Sequence, residues 1–511
     1  MSLFPMISGQ ARPRLVQAGA AFAAVALIAG CGNNYRPVVT PINPSGPPAQ
    51  PTSLAVVVSS PSPTSPGIAT VIDYSGDTVM ATAPIGPNPQ AFSVDESGST
   101  GYTVNSDGTL TNFPVSTQLQ QKFVNYSTLP TTSVPTNIYS PSAGLWIPDQ
   151  DGDIVDVLTG SPATFKLAVP VAPTPIFTVG PMLIGQRNYT ISSNSTNTAT
   201  ANVIPYGVAC NISPTTVTEN GEADAIEVAS YTVSARIPVG KCPVYAVESQ
   251  DNQRVFVLNR GSDTITVINS QNNTLDACTP FLNQNGQLVT CHPTLPLSTT
   301  AVAATGITPP NGTAGMPAVA GPVHAEYNAA TQQLIVADYD GGTISVIDVS
   351  LDIYGNDSPT FGTTFTIPVG KYPASVTALY DGSRAYTANQ GDETVTIVNL
   401  GSHTVEKTLA VVGHPRTVVS TMNSLYGKVY VASPDSPYLT IIRTDQDVVG
   451  TTVLVQGNIV DVRVSTQNAS SGNSNITSRR PGGGQPCYLS PDLMASTYGA
   501  NYTLAQCQTL P

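Results

Sequence analysis

The sequence of 511 residues predicts an all-β chain built from one repeated sheet unit, and three observations carry that prediction. The first is composition. Only 10% of residues are charged and 41% are hydrophobic, with 42 Gly and 45 Pro. An average globular chain is about 25% charged. Few charges, frequent breakers and many Val, Thr, Ser and Asn favour short strands joined by tight turns. Long amphipathic helices need runs of Glu, Lys, Leu and Ala, and the chain beyond residue 30 has almost none. The second observation is a recurring punctuation signal. Residues 237–243 read IPVGKCP, 367–373 IPVGKYP, 411–415 VVGHP and 85–89 IGPNP. Each runs into a short alternating segment: PVYAVES, PASVTA, PRTVVS and PQAFSV. Weaker copies start at Pro135, at Pro173 or Pro175, and at Pro322.

The third observation is a second strand after each signal that ends on a small polar residue: Asn105, Asp149, Ser193, Asn259, Asp338, Asn389 and Ser433. Successive spacings are 44, 44, 66, 79, 51 and 44 residues. A base period of about 44, lengthened by insertions, lies in the range of propeller blades. The polar ending caps the turn into the next strand. Third strands follow (TITVINS, TISVIDVS, TVTIVNL, LTIIRT), and a fourth leads back to the next signal.

The ends of the repeat region complement each other. Residues 53–59, 68–75 and 78–85 read as second, third and fourth strands without a first. Residues 458–464, NIVDVRV, read as a first strand without the other three. One blade shared by the two ends closes a ring and removes its free sheet edges. With the seven Pro-marked repeats the count is eight; it falls to seven if the faint copy at 173–207 is an insertion. Residues 207–230 and 271–320 fall outside the repeat and are expected to be insertions.

The segments AYTANQGDETVTIVNL and VFVLNRGSDTITVINS, each preceded by Val-Gly-Lys-x-Pro, resemble the YVTN-repeat β-propeller family, as does YTVN at 102–105. The resemblance covers residues 53–466. It is strong at 237–270, 330–350 and 366–411, and faint at 135–230. It implies a toroid of four-stranded blades, seven being the usual number. Trp146 is the single Trp. That argues against WD40 and Trp-docked quinone-enzyme propellers, which carry a Trp in nearly every blade.

The beginning of the sequence gives an address. Arg12 and Arg14 precede an apolar run at 16–30 that is too short to span a bilayer and reads as a signal-peptide core. It ends in Ile28-Ala29-Gly30-Cys31, which resembles the bacterial lipobox; an ordinary secretory signal before a Cys is the alternative. In lipoproteins that Cys becomes the first residue and carries the lipid. The expectation is a signal peptide over 1–30, a lipidated Cys31, a Pro-rich tether over 31–52 and attachment in the bacterial cell envelope, the outer membrane favoured. Residues 467–511 form a tail, with a short helix expected at 491–498. Six further Cys suit disulfides in an exported chain. The nearest neighbours are Cys278 with Cys291 and Cys487 with Cys507, leaving Cys210 with Cys242, but six Cys allow 15 pairings. No Cys-x-x-Cys or His-rich spacing suggests a metal site.

A net charge of −13 argues against a nucleic-acid partner. Asp149-Gln-Asp151-Gly-Asp153 looks like a calcium loop, yet it falls where other repeats carry NSDG, NRGSD, DYDGG and NQGDE, so a hairpin turn is expected, as at Asp338-Tyr-Asp340-Gly. His414 sits in the Val-Gly-x-Pro turn and is expected to be exposed. His324 and Glu326 alternate onto one face of an innermost strand. Glu248, Arg416, Asp461 and Arg463 also fall on innermost strands. A polar funnel of these six would suit a polar ligand or a divalent ion. The plainer reading is that a channel wall is wet and its polar groups cost nothing. No nucleophile elbow, phosphate loop, haem-attachment or zinc-protease motif is present. No catalytic residue is nominated, and a divalent metal is the one cofactor considered. The expected function is a monomeric, lipid-anchored recognition or scaffold module for an envelope protein or polar ligand. The alternative is an envelope hydrolase of lactonase type, using channel carboxylates and a divalent metal.

Overall fold

Eight antiparallel sheets follow one another around a ring, each running from an innermost to an outermost strand. The computed structural model describes residues 53–465 apart from 131–134, 142–143, 151, 181–185, 194–219, 250, 284–285, 298–319 and 422–426. The signal peptide, Cys31, the tether and the tail, expected over 1–52 and 467–511, lie outside the described residues. Among those described, the one helical turn is the 3-10 segment Gln121–Phe123, and no helix is long and apolar enough to cross a membrane.

Blade 1 is composite. Asn458–Val464 is its innermost strand, followed outwards by Leu54–Ser60, Pro66–Asp73 and Val79–Pro87. Val57 is opposite Val462 and Val58 opposite Asp461, so the two ends of the repeat region close the ring edge to edge. Blade 2 comprises Pro89–Val94, Thr100–Asn105, Thr109–Pro114 and Asn125–Thr128. In blade 3 the innermost position is held by residues 135–140, which touch the sheet through bridges at Pro135–Asp149 and Tyr139–Trp146. Leu145–Asp149, Ile154–Thr159 and Thr164–Pro170 complete it.

Blade 4 settles the count at eight. Pro175–Val179, Arg187–Ser192, Glu222–Glu227 and Thr232–Pro238 form one sheet. The faint repeat is therefore a blade, and the expected insertion at 207–230 ends before Glu222. Its third strand is hard to see in the sequence because Asp224 and Glu227 interrupt the Val/Ile/Thr pattern that marks third strands elsewhere. Blade 5 comprises Pro243–Glu248, Arg254–Asn259 and Thr264–Asn269, with a fourth position shared by Thr274–Leu275 and Thr294–Pro296. The expected insertion at 271–320 thus interrupts a strand. Blade 6 is Pro322–Asn328, Gln333–Asp338, Thr343–Asp348 and Thr364–Pro368; blade 7 is Pro373–Ala378, Arg384–Asn389, Thr394–Asn399 and Thr404–Ala410. Blade 8 is Thr417–Ser420, Lys428–Ala432, Tyr438–Arg443 and Val448–Leu454.

The repeated signal has a local mechanism. The residue before the strand-opening Pro takes a positive φ in five blades: Asn88 (41°), Thr174 (59°), Cys242 (47°), Gly321 (65°) and Tyr372 (54°). A bulge follows directly, between Pro89 and Ala91, Pro175 and Phe177, Pro243 and Tyr245, Pro322 and His324, and Pro373 and Ser375. Proline donates no ladder hydrogen bond and a bulge re-aims a strand, so the chain turns sharply from the outer edge into the centre. The polar ending of the second strand is a clasp. Nδ2 of Asn105, Asn259 and Asn389 donates to Thr111, Thr266 and Thr396 Oγ1, each at 2.8 Å. In blade 6 Asp338 accepts instead from Thr343 (3.1 Å) and Ser345 (2.7 Å).

The core lies between blades. Facing sheets bury Val, Ile and aromatic side chains against one another, as where Phe177 of blade 4 meets Tyr245 of blade 5 at 4.5 Å between ring centroids. Burying each such side chain contributes about 1.5–3 kcal/mol. Trp146 is fully buried and stacks on Tyr231 of blade 4, 5.8 Å between centroids.

Of the three expected disulfides, the Cys278–Cys291 bond is present, with 5.5 Å between Cα atoms. Cys242 is disulfide-bonded as well. Its expected partner Cys210 lies outside the described residues. Cys487 and Cys507, expected to pair with each other across the tail, also lie outside them. The pairing of Cys507 therefore stays an expectation from the sequence, resting on its being the nearest Cys to Cys487.

Candidate functional site

All six candidate residues come to the inner strands or their starts, and none is a solvated wall. Relative exposure is 6% for Glu248, 3% for His324, 1% for Glu326, 7% for Arg416, 1% for Asp461 and 0% for Arg463. The premise of a wet channel fails at these positions, because neighbouring inner strands pack against each other and cover them. A buried polar group then needs partners, and the geometry shows several of them.

His324 and Glu326 do share a face, as alternation requires. They point at blade 7: His324 Nδ1 accepts from the Val376 backbone N–H at 3.3 Å, and Glu326 Oε1 accepts from the Ala378 N–H at 3.0 Å. The next joint repeats the device with hydroxyls. Ser375 Oγ accepts from Val418 N at 3.1 Å, and Thr377 Oγ1 from Ser420 N at 3.2 Å. Between blades 3 and 4, Asn137 Oδ1 accepts from Thr178 N at 3.0 Å. The innermost strand of a blade has a ladder neighbour on one side only, so N–H groups on its other edge face the adjoining blade. Side chains two and four residues after the strand-opening Pro reach across and satisfy them. That spacing is available in the sequence, yet Ser375, Thr377 and Asn137 do not stand out there because small polar residues are common throughout.

Arg416, Asp461 and Arg463 fasten the closing blade. Arg416 Nη2 donates to the Val460 carbonyl at 2.5 Å, joining blade 8 to blade 1. Asp461 and Arg463, two apart on one strand, form a buried fork at 2.9 and 2.8 Å, and Arg463 Nη2 donates on to the Phe92 carbonyl of blade 2 at 3.2 Å. A charge pair at this depth stabilises only because its hydrogen bonds are supplied.

Glu248 is out of phase with the others. Tyr245 is opposite Leu258 as His324 is opposite Ala337, and Val247 is opposite Phe256 as Glu326 is opposite Ile335. Val247 therefore stands where a second carboxylate would have joined Glu326, and Glu248 points to the other face. Burial raises the Tyr139 and Tyr189 phenols above their usual range, and the Glu248 charge adds to both. Tyr245, not Glu248, meets His324, with ring centroids 4.7 Å apart.

Blade 3 carries a carboxyl pair that sequence reasoning missed. By register, Asp149 is opposite Ile154 and Ile147 opposite Asp156, matching Asn259 with Thr264 and Val257 with Thr266. The positions that clasp amide to hydroxyl in blades 2, 5 and 7 are here held by two carboxyls. Asp156 is fully buried, and among the described residues neither of its oxygens has a hydrogen-bond partner. Burial, with the Asp149 charge adding to it, pushes its pKa to about 7. The Asp149–Asp153 motif is a hairpin connection: Asp153 has φ 51° and its Oδ1 accepts from Thr174 N at 2.7 Å. The Asp338–Asp340 turn is a hairpin too, Asp340 taking Arg260 through Nε and Nη2 at 3.1 and 3.0 Å.

His414 is not an exposed turn residue. Its Nδ1 lies 2.6 Å from Asp435 Oδ2 and its Nε2 3.7 Å from Glu393. The hydrogen bond to Asp435 raises the His414 pKa against an opposing effect of burial. Among the described residues, no three His, Cys, Asp or Glu side chains gather as a metal-binding set.

The fold, the closure through blade 1 and these inter-blade fasteners define a β-propeller of eight blades. Its likeness to solved structures is one of fold. Apo AztD from Citrobacter koseri is 12% identical over 81% of this chain and 97% of its own, with a TM-score of 0.51. The dihydro-heme d1 dehydrogenase NirN in complex with DHE is 13% identical over 83% of this chain and 78% of its own, with a TM-score of 0.54. No protein-family model and no curated protein sequence matches the chain.

Proposed function

We propose that this propeller is a lipid-anchored protein of the bacterial cell envelope that works as a recognition or scaffold module through its loops. The observation that carries this reading is the use made of His324 and Glu326. Both accept backbone N–H groups of the next blade while buried, so the inner strands are occupied in holding the ring together. Recognition then falls to the connections between strands, where loops vary at no cost to the sheets. The hydrolase alternative would draw on channel carboxylates around a divalent metal. Glu248 and Glu326 lie on opposite faces of their strands and supply no such pair, which favours binding over hydrolysis. NirN is an enzyme by name, but a propeller fold hosts many functions and does not transfer one.

Two experiments test the reading. Glu326→Gln keeps a carbonyl acceptor for Ala378 N, whereas Glu326→Ala orphans it at a cost of about 1–3 kcal/mol. The Ala variant should therefore melt lower than the Gln variant, and calorimetric titration with divalent ions should not separate parent from Gln variant. Ion binding by the parent that Glu326→Gln abolishes would favour the hydrolase. For the anchor, wild-type chain should fractionate with membranes and Cys31→Ser should not. Wild-type protein free in the soluble envelope fraction would sink the lipoprotein reading.

A further inference from the structure

The outer edge of blade 5 carries an excursion that, among the described residues, is set apart by its own disulfide. Between Thr274–Leu275 and Thr294–Pro296 the chain leaves the sheet, and Cys278–Cys291 staples the excursion shut. Within it Phe281–Leu282 pairs with Leu288–Val289 as a small hairpin. Phe281 is 44% exposed, Leu282 68% and Leu288 61%. From residue 277 to 291 the sequence holds no Asp, Glu, Lys, Arg or His.

The base of this hairpin is bonded to the neighbouring blade. Arg254 Nη2 lies 3.2 Å from both Asp276 and Asp357. Asp357 Oδ2 accepts from His292 N at 3.1 Å and lies 2.8 Å from His292 Nδ1, and the His292 ring stacks on Phe361. Asp357 and Phe361 belong to the connection between the third and fourth strands of blade 6. That connection exposes Ile353 at 88% and Tyr354 at 52%, on a turn closed by Asp352 accepting from Tyr354 N and Asn356 N. In a meandering blade the first and third connections open on one rim of the ring; Arg254 and Asp357 lie there, and the blade 5 hairpin, which interrupts a fourth strand, is tied to that rim at its base through Asp276 and His292. Leu54, at the start of a second strand, opens on that rim too, bonded to Ser465.

We propose that this rim faces a lipid bilayer, and that the tips Phe281, Leu282, Leu288, Ile353 and Tyr354 insert into its headgroup region. The tips stand on two separate projecting loops, and one has no charge with which to select a charged protein. Apolar and aromatic side chains so presented gain by entering the membrane interface. Two cations of this rim are held in ion pairs, Arg384 with Asp447 and Lys428 with Asp77, and Lys122 stands exposed beside the Phe123 ring; insertion is carried by the apolar tips, so a zwitterionic surface suffices. The choice of a bilayer as occupant rests on the lipid-anchor reading. Cys31 lies 22 residues before Ser53. At about 3.1 Å per residue that segment reaches at most roughly 70 Å, and it joins the ring at this rim.

The test uses the chain from residue 31 onward carrying Cys31→Ser, which bears no lipid, floated with phosphatidylcholine vesicles. It should co-float. Leu282→Asp with Leu288→Asp should lower the bound fraction about tenfold while melting like the parent, since these side chains are exposed. Ile353→Asp should weaken binding on its own and stands in if the double variant does not fold. Leu282→Trp should shift its emission to the blue on adding vesicles, above the constant signal of buried Trp146. No flotation, flotation untouched by both tip variants, or tip-dependent dimers in sedimentation would each overturn the proposal. Wild-type fractionation tests the anchor separately, because the floated chain has none.

Discussion

At the scale of single residues, Asp156 shows how a repeat position changes meaning with its partner. An acid whose folded pKa is about 7 holds its proton in the fold and loses it in the unfolded chain above about pH 4. The folded state therefore binds the extra proton, and the contribution of Asp156 to stability is greatest at low pH. It declines as pH rises from about 4 to about 7 and is flat beyond. Asp156→Asn has no proton to lose, and its amide can donate to Asp149 as the asparagines of other blades donate to their threonines. It should stabilise the protein at pH 8 by up to about 4 kcal/mol, with the difference closing towards pH 4. Denaturant melts of parent and variant across that range measure it. Equal pH profiles would mean that the Asp149–Asp156 pair carries no such penalty.

At the scale of elements, the Val-Gly-x-x-Pro signal and the strand-ending Asn are two halves of one contact. A Cβ on Gly370 would stand 2.7 Å from the side chain of Asn389, and one on Gly240 2.7 Å from Asn259. The glycine lets the clasp residue pack against the backbone as it enters the next sheet. Gly370→Ala should push Asn389 off Thr396 and cost about 1–3 kcal/mol. Gly401→Ala, 3.4 Å from the Asn399 side chain, is the milder comparison. Thermal melts should place Gly370→Ala clearly below Gly401→Ala; coincident melts would dissociate glycine from clasp.

At the scale of the whole molecule, closure depends on Asn458–Val464, which joins Leu54–Ser60 by register and holds blade 2 through Arg463 and Phe92. Deleting residues 455–466 should leave the Leu54–Ser60 edge unpaired and the Arg463–Asp461 fork gone. The expected outcome is aggregation and a broad, non-cooperative melt by calorimetry and light scattering. A truncated chain that melts like its parent would show that the ring does not need this strand.

The repeat register, the polar strand endings and the split blade were legible in the sequence because each rests on contacts within one sheet. Strand alternation, turn chemistry and a fixed spacing between clasp partners are local, so Asn389 and Thr396 announce each other over seven residues. The candidate site was only half legible. Alternation correctly put His324 and Glu326 on one face, and it could not say that this face meets Val376 and Ala378 rather than water. That outcome depends on how closely neighbouring inner strands pack around the axis, and that distance is set by all eight sheets together. Blade number was decided in the same way. The weak pattern of Glu222–Glu227 became a strand because a gap in the ring, with its unpaired edges and uncovered apolar faces, costs more than burying Asp224 against Ala172 N.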